Sequence, residues 1–310
     1  MDEQDNRAPL ARFAGAVPPA PAWFDAALAQ VPERGTVMVD RASIETLTWG
    51  ERGKPGLLLL HGNGANADWW SFIAPFFAAD YRVAALSWAG MGGSDHRPAY
   101  SIDGFIAEIF AVAEAAGLFD AAVKPLVVGH SFGGFPMMAA AARSGERLAG
   151  VVIVDTPFRE PGEGGRPPNA TDRPHQIYPT LAQALARFRF APVQPCANLF
   201  IADHIARASL MAVEGGWSWR FDPYLWSRFD IGDPRSLLVD LRCPVALIWG
   251  DRSQLMAPAR IASMRSLLPP GSPAIAIPDS DHHIMVDQPL AFVTALRGLF
   301  VGWPGEELPA

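Results

Sequence analysis

The sequence predicts an α/β fold: a mostly parallel, twisted sheet flanked by helices and interrupted by one long helical insertion. Three observations carry this. Short apolar runs at residues 57–60, 82–86, 125–128 and 150–154 alternate with segments whose apolar residues recur at helical spacing, as expected of strands buried on both faces. The alternation stops over residues 157–235 and resumes with runs at 244–249 and 274–277. Hydrophobic residues make up 50% of the 310 and charged residues 18%, enough to bury a sizeable core and too apolar for disorder.

Residues 1–20 are rich in Ala and Pro and have no period, so a loose arm is expected there. Residues 21–31 set Trp23, Phe24 and Leu28 on one helical face. Strands are expected at 36–39 and 43–49, a turn at 52–56, and a strand over the four leucines 57–60, which runs into His61-Gly62. A helix over 68–79 precedes the strand at 82–86. Ile102, Phe105, Ile106, Ile109, Val112 and Ala113 give a helix over 102–117. Then come a strand (125–128), a helix (132–143) and a strand (150–154).

The insertion opens with a turn-rich stretch at 161–168. It shows helical periods near 180–188 and 196–213, an aromatic run at 215–221, and no clean strand. After it follow a strand (244–249), a helix (259–268), a strand (274–277) and a helix (289–300). The expected organisation is an arm with a short helix over 1–35, a core over 36–156 and 236–310, and the helical insertion over 157–235.

The 25 Lys+Arg stand against 32 Asp+Glu, a net charge of −7, with no basic tract. A nucleic-acid partner held through phosphates is therefore not expected. Cys196 and Cys243 do not make a disulfide framework and fit a reducing compartment. Residues 1–12 lack the basic and apolar regions of a secretory signal, and no stretch reaches the roughly 20 apolar residues that span a bilayer. A cytoplasmic protein without a membrane partner is the expectation.

Gly129-His130-Ser131-Phe132-Gly133 lies between an apolar strand and a helix. A turn this tight strains its central residue and leaves no room for side chains two positions away on either side, where glycine stands. The strain lifts the Ser131 hydroxyl off the sheet edge beside a helix N-terminus. His130, the next residue on the elbow, points elsewhere and reads as a packed neighbour. A serine hydroxyl needs a base near neutral pH and a third group to orient it. Among seven histidines, His282 and His283 stand in a late loop, Asp279 to Pro289, after the last strand. That adjacent pair does not suit a metal set, which favours i, i+4 spacing, so no metal is expected.

His61-Gly62-Asn63-Gly64 after the leucine strand, the serine elbow, residues 86–94 and the late His with Asp287-Gln288-Pro289 together resemble the α/β-hydrolase fold superfamily, in its capped epoxide-hydrolase-like and serine esterase branch. The resemblance covers roughly residues 36–300 and implies the α/β-hydrolase fold, a cap in place of the insertion, and no cofactor. Epoxide hydrolases and haloalkane dehalogenases carry aspartate at the elbow. Ser131 disfavours both reactions, because a serine alcohol suits acyl transfer.

The family's spacing back from Asp287 places the base on His282, with Asp281 where glycine is usual and His283 facing away. The usual acid turn reads Gly250-Asp251-Arg252-Ser253 and has Ser253 at the acid's position. Some branches instead carry the acid after the strand read here as 150–154, which ends in Asp155. Asp155 is the preferred acid and Asp251 the alternative, while an Asp before Pro157 also fits a plain capping role.

An oxyanion hole is expected from the backbone N–H groups of Phe132 and Asn63, each such donor being worth about 3–4 kcal/mol. Trp88, Met91, Trp217 and Trp219 are candidate substrate-binding residues at the sheet edge and in the insertion. The expected function is hydrolysis of a carboxylic ester or lactone by a serine hydrolase without cofactor. The alternatives are a C–C bond hydrolase of a ring-cleavage diketone, more weakly a perhydrolase, and a non-catalytic ligand-binding receptor. The expected partner is a small apolar ester, aromatic or cyclic; a homodimer is left open.

Overall fold

The computed structural model describes residues 7–157, 172–229 and 240–303. In chain order the strands are β1 (Glu33–Val39), β2 (Ala42–Trp49), β3 (Gly56–Leu60), β4 (Arg82–Leu86), β5 (Leu126–His130), β6 (Gly150–Val154), β7 (Leu210–Val213), β8 (Gly216–Trp219), β9 (Val245–Gly250) and β10 (Ala274–Ile277). The α-helices are α1 (Ala22–Leu28), α2 (Ile102–Ala115), α3 (Gly134–Ser144), α4 (Leu181–Leu185), α5 (Leu199–Ala208), α6 (Pro258–Leu267), α7 (Ile284–Asp287) and α8 (Pro289–Val301).

Eight strands form one sheet in the order β1-β2-β4-β3-β5-β6-β9-β10. β1 and β2 form an antiparallel hairpin, and β2 also pairs antiparallel with β4. Every other neighbour pair is parallel. The central strands β3 to β6 are buried at every position, which is why each reads as an unbroken apolar run.

Alternate residues feed two cores. Leu57, Leu59, Val128 and Val152 meet Phe292, Leu296 and Phe300 of α8 on one face. Leu58, Leu60, Val127 and Ile153 meet Phe105 and Ile109 of α2 and Met137 of α3 on the other. At the start of α2 the Ser101 side chain accepts the N–H of Gly104 at 3.1 Å, capping an otherwise unpaired donor.

Four sequence expectations are corrected. The helix over 68–79 is instead two 3₁₀ turns, Ala67–Trp70 and Ala74–Phe76, because Pro75 has no N–H to continue an α-helix. The helix over 196–213 ends at Ala208, and Leu210 begins β7. The insertion therefore does contain strands: β7 and β8 pair antiparallel around Glu214-Gly215, with Gly215 at φ 83°, a conformation natural to glycine. The arm is packed where it is described, since Leu10 is 2% exposed and Arg207 donates to the Gly15 carbonyl at 2.7 Å.

Thr180 and Gln183 cap α4 reciprocally. Leu185, Phe188, Phe190 and Ile201 of the insertion share the α8-side core with Trp69 and Phe72, so the insertion is welded to the sheet by apolar contact. The turn-rich stretch at 161–168, residues 1–6, the end of the insertion from 230, and the tail beyond 303 lie outside the described residues.

Candidate active site

Ser131 stands where β5 passes through a single 3₁₀ turn into α3, at φ 53°. A non-glycine residue in that region carries about 1–3 kcal/mol of strain, held there by its surroundings. The surroundings are tight. A Cβ on Gly133 would lie 2.7 Å from the His61 carbonyl oxygen, and one on Gly129 would lie 2.9 Å from the Gly133 carbonyl oxygen.

The bend aims the Ser131 hydroxyl at His282, with Oγ 2.9 Å from Nε2. The other ring nitrogen, Nδ1, lies 2.7 Å from Oδ1 of Asp155. In the neutral ring that accepts from serine, Nδ1–H donates to the carboxylate and Nε2 receives the hydroxyl proton. Asp155 sits past the end of β6 at φ 42°, with none of its surface exposed. Its oxygens also accept the Gly250 N–H at 2.9 Å and the Ser253 hydroxyl at 2.7 Å. So the residue in the usual acid's turn, Ser253, donates to a carboxylate that arrives from the neighbouring strand. Asp251, by contrast, is turned to the loop: its carboxylate accepts the Ser280 N–H at 3.3 Å and braces the backbone there.

Two further imidazoles flank His282, each with its ring centroid 4.8 Å away. His130 Nε2 donates to the His282 carbonyl at 3.0 Å. His283 turns from Ser131, and its Nδ1 donates to Oε1 of Gln194 at 2.6 Å. Burial, reinforced by the neighbouring rings, holds both well below the ordinary histidine range, so both are neutral at physiological pH. Neither the His130 brace nor Gln194 was named from the sequence as part of the site. Their partners lie far along the chain, and no local pattern marks them.

The loop after β3 presses against the serine elbow: a Cβ on Gly62 would lie 3.1 Å from Cβ of Ser131. His61 fixes this loop. Its Nδ1 donates to the Gly62 carbonyl at 2.7 Å and its Nε2 accepts the Trp88 N–H at 3.1 Å, while burial lowers its pKa to about 4. The Asn63 N–H follows directly, and the Phe132 N–H opens the turn into α3, where first-turn donors have no intrahelical partner. The Asn63 side chain is occupied, accepting the Trp226 indole N–H at 3.1 Å.

A cavity of about 310 Å³ opens beside this loop, bounded by Asn63, Met91, Trp219, Trp226 and His283. Its walls come from loops beyond strand C-terminal ends and from the insertion, where ligands of open α/β sheets bind. Met91 and Trp219 thus line it; Trp88 and Trp217 do not. Trp88 is 0% exposed, its indole N–H donates to the His61 carbonyl at 3.0 Å, and its ring packs on Phe105 and Phe132. Trp217 packs on the core, and its backbone pairs with Tyr178. Among the described residues, no helix is long and apolar enough to cross a membrane.

Known proteins agree with this architecture. The chain is 33% identical to Epoxide hydrolase 4 of Mus musculus over 111 residues, 35% of this chain and 30% of that protein, so less than a third of that relative's length is matched. It is 26% identical to a pimeloyl-[acyl-carrier protein] methyl ester esterase of Edwardsiella ictaluri over 247 residues, 79% of this chain and 92% of the relative. The solved thioesterase domain from the curacin biosynthetic pathway superposes with a TM-score of 0.72 at 22% identity, covering 86% of this chain and 99% of that one, a likeness of fold. The model of the alpha/beta hydrolase family matches residues 57–296, and with the sheet order, the flanking helices and the strained serine elbow in place, the chain belongs to the alpha/beta hydrolase family.

Proposed function

We propose that the protein is a serine hydrolase that cleaves a carboxylic ester or lactone through an acyl-enzyme on Ser131. The observation that carries this is the unbroken chain Ser131 Oγ–His282 Nε2–His282 Nδ1–Asp155, at 2.9 and 2.7 Å, mounted on a strained elbow. As Oγ bonds to the ester carbonyl carbon, its proton passes to His282 Nε2 and the carbonyl electron pair moves to oxygen. The N–H groups of Phe132 and Asn63 receive that oxyanion. Collapse breaks the bond to the alcohol oxygen, which leaves with the proton from Nε2. Water then repeats the sequence on the acyl-enzyme, giving up its proton to His282 and releasing the acid and the Ser131 hydroxyl. Asp155 orients the ring and balances its transient positive charge. The esterase relative matched over 79% of this chain supports an ester over other acyl substrates.

The cavity suggests the substrate's form. Its aromatic walls suit an apolar part, while Arg187 and Arg189 line it and remain exposed. Asp222, the acid of the lining, is already matched by Arg228 at 3.3 Å and by the Tyr100 hydroxyl at 2.7 Å. A protein of net charge −7 thus presents two arginines to whatever enters. An ester with an acidic tail is expected to exceed its neutral counterpart of equal length by roughly tenfold or more in kcat/KM, the worth of a charge-assisted hydrogen bond.

A panel of p-nitrophenyl esters, half-esters of dicarboxylic acids and a vinylogous diketone checks both statements. Ester turnover is expected, with the acidic preference lost in R187A/R189A. Fast diketone cleavage without ester turnover would instead select C–C hydrolysis. Capture of an intact ligand without turnover would select a receptor.

A further inference from the structure

We infer that Gln194 is a positioning residue for the base: from within the insertion it clasps the loop on either side of His282 and thereby holds the imidazole between Ser131 and Asp155. This rests on the serine hydrolase reading above.

His282 lies between the end of β10 at Ile277 and the start of α7 at Ile284, on chain with no strand or helix hydrogen bonds of its own. Its neighbours are tied instead to one amide–carboxylate pair. Gln194, 2% exposed, accepts on Oε1 both the His283 backbone N–H at 3.0 Å and the His283 Nδ1–H at 2.6 Å. Its Nε2 donates to Oδ1 and Oδ2 of Asp287, each at 2.9 Å. Asp287 in turn accepts the Asp281 N–H at 2.8 Å. The residues immediately before and after His282 are therefore fastened to Gln194 and Asp287. Asn198, four residues on, adds bonds to the Val286 and Asp287 carbonyls at 2.8 and 3.1 Å.

The neutral amide at position 194 meets both demands at once, accepting from an imidazole on its oxygen while donating to a carboxylate from its nitrogen. A glutamate there would set two carboxylates against each other. Burial has already pushed Asp287 up to about 7. Asp281 adds to the rise, while the Asp281 N–H, the Gln194 amide and Arg252 oppose it. The Cys196 thiol beside it is itself raised to about 12 by burial and by Asp287, and is un-ionised. The flanking His283 is neutral. Neither of these neighbours supplies a charge to offset a second carboxylate. Phe190, on the same segment, lines the cavity with its ring 5.0 Å from that of His283, so the cavity wall and the clasp are one piece of chain.

The test is Q194E, D287N and the double variant Q194E/D287N, in which donor and acceptor exchange places. In Q194E the two carboxylates raise each other and share one proton beyond about pH 7, so kcat for a p-nitrophenyl ester, relative to wild type, is expected to fall as pH rises from about 7 to about 10, reaching about 100-fold once that proton is lost, the cost of a catalytic group displaced by about 1 Å. KM should hold. The ratio should recover as pH is lowered again and the shared proton restores a donor. The double variant should stay within about threefold of wild type across the same pH range, because the amide that the exchange puts at position 287 donates to the new carboxylate.

The downfield proton resonance of His282 Nδ1–H is read in parallel and needs no substrate. It should move or broaden in Q194E as the shared proton is lost and return in the double variant. Wild-type kcat and an unmoved resonance in Q194E up to about pH 10, or a double variant as impaired as the single one with its fold intact by near-UV circular dichroism, would overturn the inference. If the wild type turns over no ester, the serine hydrolase reading fails, and the resonance still decides the clasp.

Discussion

Ser131→Ala is expected to lower kcat for the favoured ester by at least about 10⁴-fold, leaving only what the oxyanion donors and substrate binding supply. The variant keeps the elbow, because Gly129 and Gly133 still admit the close approach of the His61 and Gly133 carbonyls, and alanine at φ 53° bears the same backbone strain as serine. What it loses is the oxygen 2.9 Å from His282 Nε2, and with it the bond that forms the acyl-enzyme. Stability should change little, so thermal melting separates a chemical loss from a folding one. The pre-steady-state burst of p-nitrophenol, equal to the enzyme concentration in the wild type if acylation outpaces deacylation, should vanish. A variant that retained even a tenth of wild-type kcat would remove Ser131 from the reaction.

Asp155→Asn is expected to cost about 10⁴-fold in kcat, through the tautomer of His282 rather than through position. The aspartate accepts Nδ1–H at 2.7 Å, which leaves Nε2 as the acceptor facing Ser131. An asparagine can turn its N–H₂ to the ring, which then carries its proton on Nε2 and cannot receive one from serine. The same carboxylate is bound by the Gly250 N–H and the Ser253 hydroxyl, so its place in the fold is fixed by groups that asparagine can partly satisfy. Asp251→Asn should change kcat less than about threefold, because its exposed carboxylate bonds to the Ser280 N–H rather than to the ring; surface changes of this kind lie within about 0.5 kcal/mol. Steady-state kinetics on both variants, with near-UV circular dichroism as the fold check, decides between the two carboxylates. A loss of only a fewfold in D155N, or a collapse in D251N, would reverse the assignment.

The parts of the molecule legible from its amino acids are those whose cause is local. Strands buried on both faces must be apolar at every position, so β3 to β6 announced themselves within a residue or two. The serine elbow is equally local, because its geometry demands glycines at fixed offsets. His282 required counting back from Asp287-Gln288-Pro289, and the structure places that imidazole, not His283, against Ser131. Asp155 could be seen only as a pair of oddities, a serine at position 253 and a carboxylate at the end of another strand. In space the two are one feature, the first donating to the second.

What stayed hidden is decided over distance. Leu210–Val213 fits the end of a helix or a strand, and its pairing with Gly216–Trp219 chooses the strand. Trp88 and Met91 stand three residues apart in one loop, yet the first is sealed against Phe105 and Phe132 while the second faces the cavity. Gln194 meets His283 across 89 positions, and His130 meets His282 across 152. Nothing near either residue in the chain foretells its partner.

The most direct measurement is intact-protein and peptide mass spectrometry after treatment with a fluorophosphonate. The expected result is one adduct per chain, carried by Ser131, forming at least about 10³-fold more slowly in His282→Ala, since the base is what makes the hydroxyl nucleophilic. An enzyme that hydrolyses its ester yet takes the phosphonate elsewhere, or not at all, would contradict the assignment of Ser131 as its nucleophile.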